Sequence, residues 1–401
     1  MIRRKWKIFC FYTSIVMLGA VFCGVFIANI LPEQFEVIDG ERLRLASLPV
    51  TIRRQGAIKA DVPASVGDSY TANLRLLGLL EVKNVQVHVV KTERVVPDGE
   101  TFGIKLYTDG VMIVGIGEVE TSSGKKSPAS DAGVQKGDQL IAVDGKTVNT
   151  NQEVGESIAG SKNKGCTLSL RRNGVAFTVR LHPQQDTADG TYKGGFWVRD
   201  STAGIGTVTY YNPQTGYYGG LGHAVCDVDT GKKLPLLNGE AVNSTITSVE
   251  KGENGRAGEL VGNLENNRLG TLLLNTDNGV YGVFAKARAG KSVPIAMKQQ
   301  VQSGKATVLS TLDETGPHAY EIQIEKINYA GGGHDMVVRV TDPKLIARTG
   351  GIVQGMSGSP ILQNGMLVGA LTHVFINNPQ KGYAIFAENM MHTASSLELQ
   401  H

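Results

Sequence analysis

Residues 190 to 401 consist largely of short apolar runs cut off by turns, and that punctuation excludes most folds. Ile205–Tyr211, Ala241–Val249, Leu269–Asn275, Val280–Ala285, Ala306–Thr311, Ala319–Ile327, Met336–Val340, Pro360–Gln363 and Met366–Thr372 are each four to nine residues long. Gly, Asn and Asp separate them. No segment of helical period has useful length before the last twenty or so residues. Many short strands at this spacing predict a β-sandwich or barrel, and the 50 Gly against 13 Pro fit a chain rich in tight turns.

The N-terminus obeys different rules. Ile8 to Leu31 is 24 residues without a charge, preceded by Arg3, Arg4, Lys5 and Lys7. A bilayer core takes roughly 20 apolar residues as a helix. The basic flank predicts a cytoplasmic N-terminus. The run exceeds a secretory apolar core, and Leu31-Pro32-Glu33-Gln34 is no small-residue cleavage site. We expect an uncleaved single-pass anchor (residues 1–31) in the cell membrane, with the bulk of the chain exported. Without the four N-terminal cations the 40 basic residues fall to 36, against 37 acidic. That balance gives no ground for nucleic-acid binding.

Residues 32–100 read as a membrane-proximal β segment, with strands in Lys83–Val90 and Thr92–Val96 and a turn at Pro97-Asp98-Gly99. From 101 to 185 the pattern is sharper. Val111–Ile116 is a buried strand, Ser127–Gly133 holds a short helix, and Gly137–Gly145 reads turn, strand, turn. Asn149 or Thr150 caps a helix to about Ile158. Asn173-Gly174 then closes a hairpin whose second strand alternates Val175, Phe177, Val179 and Leu181. With the segment SPASDAGVQKGDQLIAVDGKTV this stretch resembles a PDZ domain, a module that captures an extended peptide on a sheet edge. The resemblance puts Gly103, Ile104, Lys105 and Leu106 at the carboxylate-binding loop.

The chemistry lies in residues 186–401. Gly222-His223-Ala224 offers a base and Gly355-Met356-Ser357-Gly358-Ser359-Pro360 a hydroxyl in a glycine-lined turn. A serine hydroxyl attacks only with a base beside it, and its oxyanion needs donors. Glycines on both sides of Ser357 let the turn aim two N–H groups, those of Gly355 and Ser357, at one oxygen. Three acids could orient the imidazole: Asp342, Asp227 and Asp335. Asp342 also reads as a cap before Pro343-Lys344-Leu345. Ser359 is one residue into the next strand and reads as structural. Cys226 reads as a small buried hydrophobe, and the four cysteines form neither a disulfide framework nor a metal-ligand spacing. No cofactor or metal is expected. A metal site of His223, Asp227 and His334 has no ligand spacing behind it.

The serine peptide resembles the Gly-Asp-Ser-Gly-Gly-Pro signature of chymotrypsin-like proteases, whose order His, acid, Ser this chain shares. GYYGGLGHAVCD, TDPKLIARTGGIVQGMSGSPI and NNPQKGYAIFAENM are more specific. With the layout anchor, PDZ domain, protease, they resemble the stage IV sporulation protein B family of endospore-forming bacteria. That resemblance implies a double β-barrel and a triad of His223, Asp342 and Ser357. It also implies self-cleavage in the space between the two membranes of the developing spore. There the enzyme would cut a membrane-anchored regulator of an intramembrane protease and so trigger sigma-factor maturation. Met356 replaces the aspartate that pairs with a new N-terminus in digestive relatives, so that activation switch is missing. Two other readings stand beside this one. An envelope quality-control protease of the high-temperature-requirement kind would carry its PDZ domain after the protease, and an inactive PDZ scaffold would lack the triad.

Overall fold

The structure, a computed structural model, describes residues 2–45, 48–55, 65–286, 288–329 and 331–398. Helix α1 (Ile2–Ile30) opens the chain. Within it Phe11–Ile30 is long and apolar enough to cross a membrane. Its last carbonyls have no helical partners. Lys83 Nζ satisfies two carbonyls at this end, at 3.2 Å from Ala28 O and 2.7 Å from Leu31 O, and its cation suits the negative end of the dipole.

The segment after α1 is a sheet of β1 (Gln34–Ile38), β2 (Val50–Gln55), β3 (Ser69–Leu76) and β4 (Leu80–Val90), ordered β1-β4-β3-β2. Phe35, Leu74 and Val87 are fully buried and belong to one core with Val308, Ile322 and Met336 of the protease region. The membrane-proximal segment is thus packed onto the rest of the chain. Gln299 donates to the Glu36 carbonyl across the junction.

β5 (Arg94–Pro97) leads into β6 (Thr101–Ile116), sixteen residues without a break. A hairpin of β7 (Val119–Thr121) and β8 (Gly124–Lys126) follows, then α2 (Pro128–Asp131), β9 (Gln139–Val143) and β10 (Lys146–Thr147). Next come α3 (Asn151–Ser161), β11 (Cys166–Arg172) and β12 (Val175–Leu181). Thr150 caps α3 in a reciprocal box with Glu153. Asn173 and Gly174 both take positive φ, +50° and +85°, as the hairpin requires. β6, β9, β11 and β12 form a sheet that buries Val111, Leu140, Val154, Ile158 and Leu168 between itself and the helices.

After the small pair β13 (Gln184–Gln185) and β14 (Tyr192–Lys193), β15 (Phe196–Tyr211) runs back along the whole of β6. With β16 (Tyr217–Gly220), β17 (Leu236–Glu250), β18 (Glu259–Thr276) and β19 (Gly279–Phe284) these two strands close a barrel in the order β6-β17-β18-β19-β16-β15. β20 (Val293–Pro294) pairs with β5. A second closed barrel follows, from β21 (Gly304–Thr311), β22 (Pro317–Ile327), β23 (Met336–Val340), β24 (Pro360–Gln363), β25 (Met366–Phe375) and β26 (Asn378–Phe386). Helix α4 (Pro343–Thr349) joins β23 to the serine turn, and α5 (Ala387–Glu398) packs Met390 into the core beside Ile385 and Tyr281.

Two expectations change. The first barrel borrows β6 from the segment assigned to the PDZ domain, so residues 101–185 supply a barrel strand as well as the PDZ domain. Gly103–Leu106 lies in the first half of β6, paired with β15 on one side and β17 on the other, with no free edge for a peptide. The opening beside α3 lies elsewhere. It is a cavity of about 350 Å³ lined by Asn151, Val154, Gly155 and Ile158 on one side and Lys193 to Val198 on the other.

Candidate active site

The first barrel carries His223 and the second carries Ser357. β16 ends at Gly220, and Leu221 turns the chain away with φ +63°, a strained angle for a bulky residue. This turn delivers His223 into a cleft of about 740 Å³ between the barrels, which Ser357, Gly355, Thr372 and His373 also line.

The serine turn is clamped from the other barrel. Thr207 N–H donates to Ser357 O at 2.9 Å, and Thr207 Oγ1 to Gly355 O at 2.8 Å. Thr209 Oγ1 donates to Gly358 O at 2.7 Å. Both threonines are fully buried, where such bonds avoid a desolvation cost of about 1–3 kcal/mol per unpaired group. Gly358 sits at φ +95°, and a Cβ there would lie 2.0 Å from Thr207 O, so only glycine fits. Met356 is fully buried, and Ser359 is buried with its Oγ 3.3 Å from Ser310 Oγ, a structural role. Among the described residues, neither the Gly355 nor the Ser357 N–H donates to a protein acceptor. Two donors are therefore free in the turn beside the hydroxyl.

Ser357 Oγ donates to Thr372 O at 2.6 Å and not to His223. His223 Nδ1 lies 2.8 Å from Ala224 O. A carbonyl only accepts, so this contact places the proton on Nδ1 and leaves the Nε2 lone pair free, the tautomer a general base needs. Burial holds the His223 pKa below the ordinary histidine value, partly offset by that carbonyl. The ring of His373 lies 4.7 Å from that of His223, and His334 reaches the edge of His373 at 5.8 Å while stacking on Tyr383 at 4.0 Å. Loss of water, then repulsion from His223 and His334, lowers His373 to about 4. Both cleft imidazoles are neutral at pH 7.

None of the three acids reaches His223. Asp342 caps α4, with Oδ1 accepting from Lys344 N at 2.8 Å and Leu345 N at 3.1 Å and Oδ2 from Glu321 N at 3.3 Å. Burial raises its pKa, but these donors outweigh it and the net shift is downward. Asp342 lines a different cleft of about 540 Å³ with Asp313, His318 and Arg348. Register shows why. His373 is level with Tyr383 and Val337, and Asp342 lies five residues further on, roughly 16 Å of chain at about 3.3 Å per residue. Asp227 is buried and ion-paired with Arg199, so it does not join the imidazoles. Asp335 is buried and accepts from Phe386 N and Asn389 Nδ2, and burial raises its pKa. Cys226, expected inside, is exposed and lines the cleft, with its thiol pushed up first by partial burial and then by Asp277. Sequence reasoning missed His373, Thr207, Thr209 and Thr372. All four sit inside strands with no motif around them.

Two barrels with a serine turn on one and a histidine on the other, facing a shared cleft, define a double-barrel serine peptidase, here with a PDZ domain threaded between two strands of its first barrel. The SpoIVB peptidase S55 family model matches residues 190–391, half of the chain, and the chain belongs to that family. A PDZ domain model matches residues 121–172. A Lactococcus lactis protein named as a zinc metalloprotease is 41% identical over 81 residues, 20% of this chain, and the match spans 17% of that relative's length. Among solved structures, the HtrA-type protease AlgW with a decapeptide aligns over 51% of this chain and 55% of its own, with TM-score 0.31 and 12% identity. The Rv3671c protease of M. tuberculosis in its active form aligns over 49% and 74%, with TM-score 0.28 and 12% identity.

Proposed function

We propose that Ser357 is the nucleophile and His223 the general base of a membrane-tethered endopeptidase that cleaves itself and a membrane-anchored regulator of an intramembrane protease. The carrying observation is that both side chains line one cleft while the Gly355 and Ser357 N–H groups are unclaimed. Ser357 Oγ swings from Thr372 O toward His223 Nε2 and attacks the peptide carbonyl carbon. Its proton passes to Nε2. The oxyanion takes the two free N–H groups. Collapse expels the amine, which leaves with the proton from Nε2, and a water then repeats the sequence on the acyl-enzyme.

The resemblance to the sporulation family supports the wider role: a cytoplasmic N-terminus, the protease in the intermembrane space of the developing spore, and a cut that triggers sigma-factor maturation. The Ala224 carbonyl already holds the Nδ1 proton, the task usually given to an aspartate. Asp342, the acid that the resemblance suggests, would have to leave its cap to take over. The test is self-processing of the purified full chain beside labelling by a small fluorophosphonate. Ser357→Ala and His223→Ala should fold and neither self-process nor, for the first, label. Undiminished processing by Ser357→Ala would end the proposal.

A further inference from the structure

Among the described residues, four hairpins turn through a pair that takes positive φ at both positions. Three of the pairs are Asp144-Gly145 (φ +49° and +79°), Asn173-Gly174 (+50° and +85°) and Asn364-Gly365 (+52° and +77°). Asp and Asn tolerate the left-handed region and suit water, and all three pairs are exposed. The fourth pair, between β3 and β4, is Leu77-Gly78 at +50° and +78°. A leucine is strained there. It is also 72% exposed, and Leu79 and Leu80 beside it are 82% and 40% exposed. Strain and bare apolar surface are both costs in water, and the other three turns avoid both.

The place of this tip in the fold supplies the reason. β1 and β4 run parallel, with Gln34 level with Gln86 and Ile38 with Val90. The chain therefore enters β1 from α1 at the level of Gln86, and the start of β4 lies back alongside α1. Val82 faces Gly24, where a Cβ would stand 4.0 Å from Val82 Cγ2. Gly24 is six residues, about 9 Å of helix at roughly 1.5 Å per residue, inside the Ile30 end of the apolar span. Leu77–Leu80 lie beyond Val82 and so deeper along α1. Phe22, Val25 and Phe26 of α1, near this level, are exposed apolar side chains. The nearest charges lean the other way. Arg75 and Glu81 face each other across the hairpin. Arg75 Nε donates to Asn73 Oδ1 at 2.8 Å, and Glu81 Oε1 accepts from Asn84 Nδ2 at 3.1 Å, both on the side away from the tip. Lys83 Nζ, 2.7 Å from Glu33 Oε1, points back to the end of the helix. Long charged side chains at a membrane edge reach back to the polar layer in this way.

We infer that the β3–β4 tip, Leu77 to Leu80, is a lipid-binding site that enters the acyl chains of the bilayer beside the C-terminal half of α1. This rests on the reading of α1 as a membrane anchor and not on the chemistry at Ser357. The bilayer takes up the exposed leucines, with Arg75, Glu81, Lys83 and Glu33 left at the headgroup layer. A helix alone is a single pivot. Helix and tip together are two points of attachment, and their sheet shares a core with Val308 and Ile322 of the second barrel. The protease body is thereby held in one orientation to the membrane.

Depth-dependent quenching of tryptophan fluorescence tests it on the full-length protein in vesicles of phosphatidylcholine and phosphatidylglycerol. The phosphatidylcholine carries bromine on its acyl chains. The two native tryptophans are first removed as Trp6→Phe and Trp197→Phe. Three reporters are then compared, one at a time: Leu79→Trp at the tip, Phe22→Trp on α1 and Val175→Trp on the exposed face of β12. The Leu79→Trp and Phe22→Trp proteins should show blue-shifted emission and lose most of it to brominated lipid, whereas Val175→Trp should lose none. Quenching of Phe22→Trp without quenching of Leu79→Trp overturns the site. Leu79→Trp emission that is blue-shifted yet unquenched would mean that a protein surface covers the tip, and overturns it equally. If Phe22→Trp is not quenched, α1 is not in the bilayer and the tip falls with it. Adding Leu77→Asp gives the tip the turn chemistry of Asp144-Gly145, so the hairpin keeps its shape while a charge opposes insertion. Quenching of Leu79→Trp should then drop while that of Phe22→Trp stays. Unchanged quenching would leave α1 alone holding the tip in place and overturn the role of the leucines.

Discussion

The two clefts beside the second barrel hold the residues that the motif reading joined into one triad, and they differ in what they leave free. In the 740 Å³ cleft the reactive groups are unspent: an Nε2 lone pair on His223, two N–H groups in the serine turn, and a hydroxyl bonded only to a carbonyl. In the 540 Å³ cleft Asp342 is fully engaged by three backbone donors and holds the start of α4. Free valences distinguish a site from a scaffold better than residue type does. A carboxylate with three N–H partners is doing the work of a cap.

The sharpest way to break this contrast is to remove the nucleophile. Ser357→Ala should cut peptide-bond turnover by about 10⁶, and His223→Ala by a similar factor, because such groups act as a unit. Circular dichroism and melting should be unchanged, and residual turnover within 10-fold of wild type would place the chemistry elsewhere. Next is Gly358→Ala. The added Cβ meets Thr207 O at 2.0 Å, so the turn must shift and misalign the oxyanion donors. We expect a loss of about 10²–10³ in kcat, the cost of one such donor, with a smaller change in KM. Wild-type kcat in a crystallographically unshifted turn would contradict the clamp.

A smaller effect follows from pH. Burial lowers the His223 pKa below about 6.5. The base works only when neutral, so kcat/KM should stay level from pH 8 down past that value and then fall as His223 takes up a proton. The same depression lowers stability in acid: the unfolded chain binds the proton first, so stability drops once pH falls below the unfolded value. A pH–rate midpoint above about 7 would mean that a carboxylate sits against His223 after all.

Much of this was legible. The strand runs of both barrels were visible as short alternating segments, and Asn173-Gly174 and Asn364-Gly365 both take the positive φ pair of a two-residue hairpin. Gly222-His223 and the turn around Ser357 stood out because a nucleophile turn needs glycine. Barrel closure was not legible, since it depends on β6 meeting β15 some ninety residues later. For the same reason Gly103–Leu106 looked like the start of a PDZ domain, though its strand is shared with a barrel. His373, Thr207 and Thr209 gave no signal. Each is ordinary strand composition until the register brings it to the cleft.

Asp342 is where the sequence motif and the geometry disagree, and one residue pair of variants separates them. Asn caps a helix about as well as Asp, whereas Ala does not. If Asp342 only caps α4, Asp342→Asn should keep kcat within about 10-fold of wild type and melt near it at pH 7. Asp342→Ala should lose about 1 kcal/mol, read from urea melts. If it orients His223, Asp342→Asn should instead lose about 10⁴ in kcat with little change in melting. Acid adds an independent check. The backbone donors hold the Asp342 pKa below its ordinary value, so its cap strength is complete above about pH 4 and fades as pH falls through the folded pKa. The Asn variant has no such titration. The stability gap between the two should therefore change only in strong acid, far below the pH range in which His223 controls the rate.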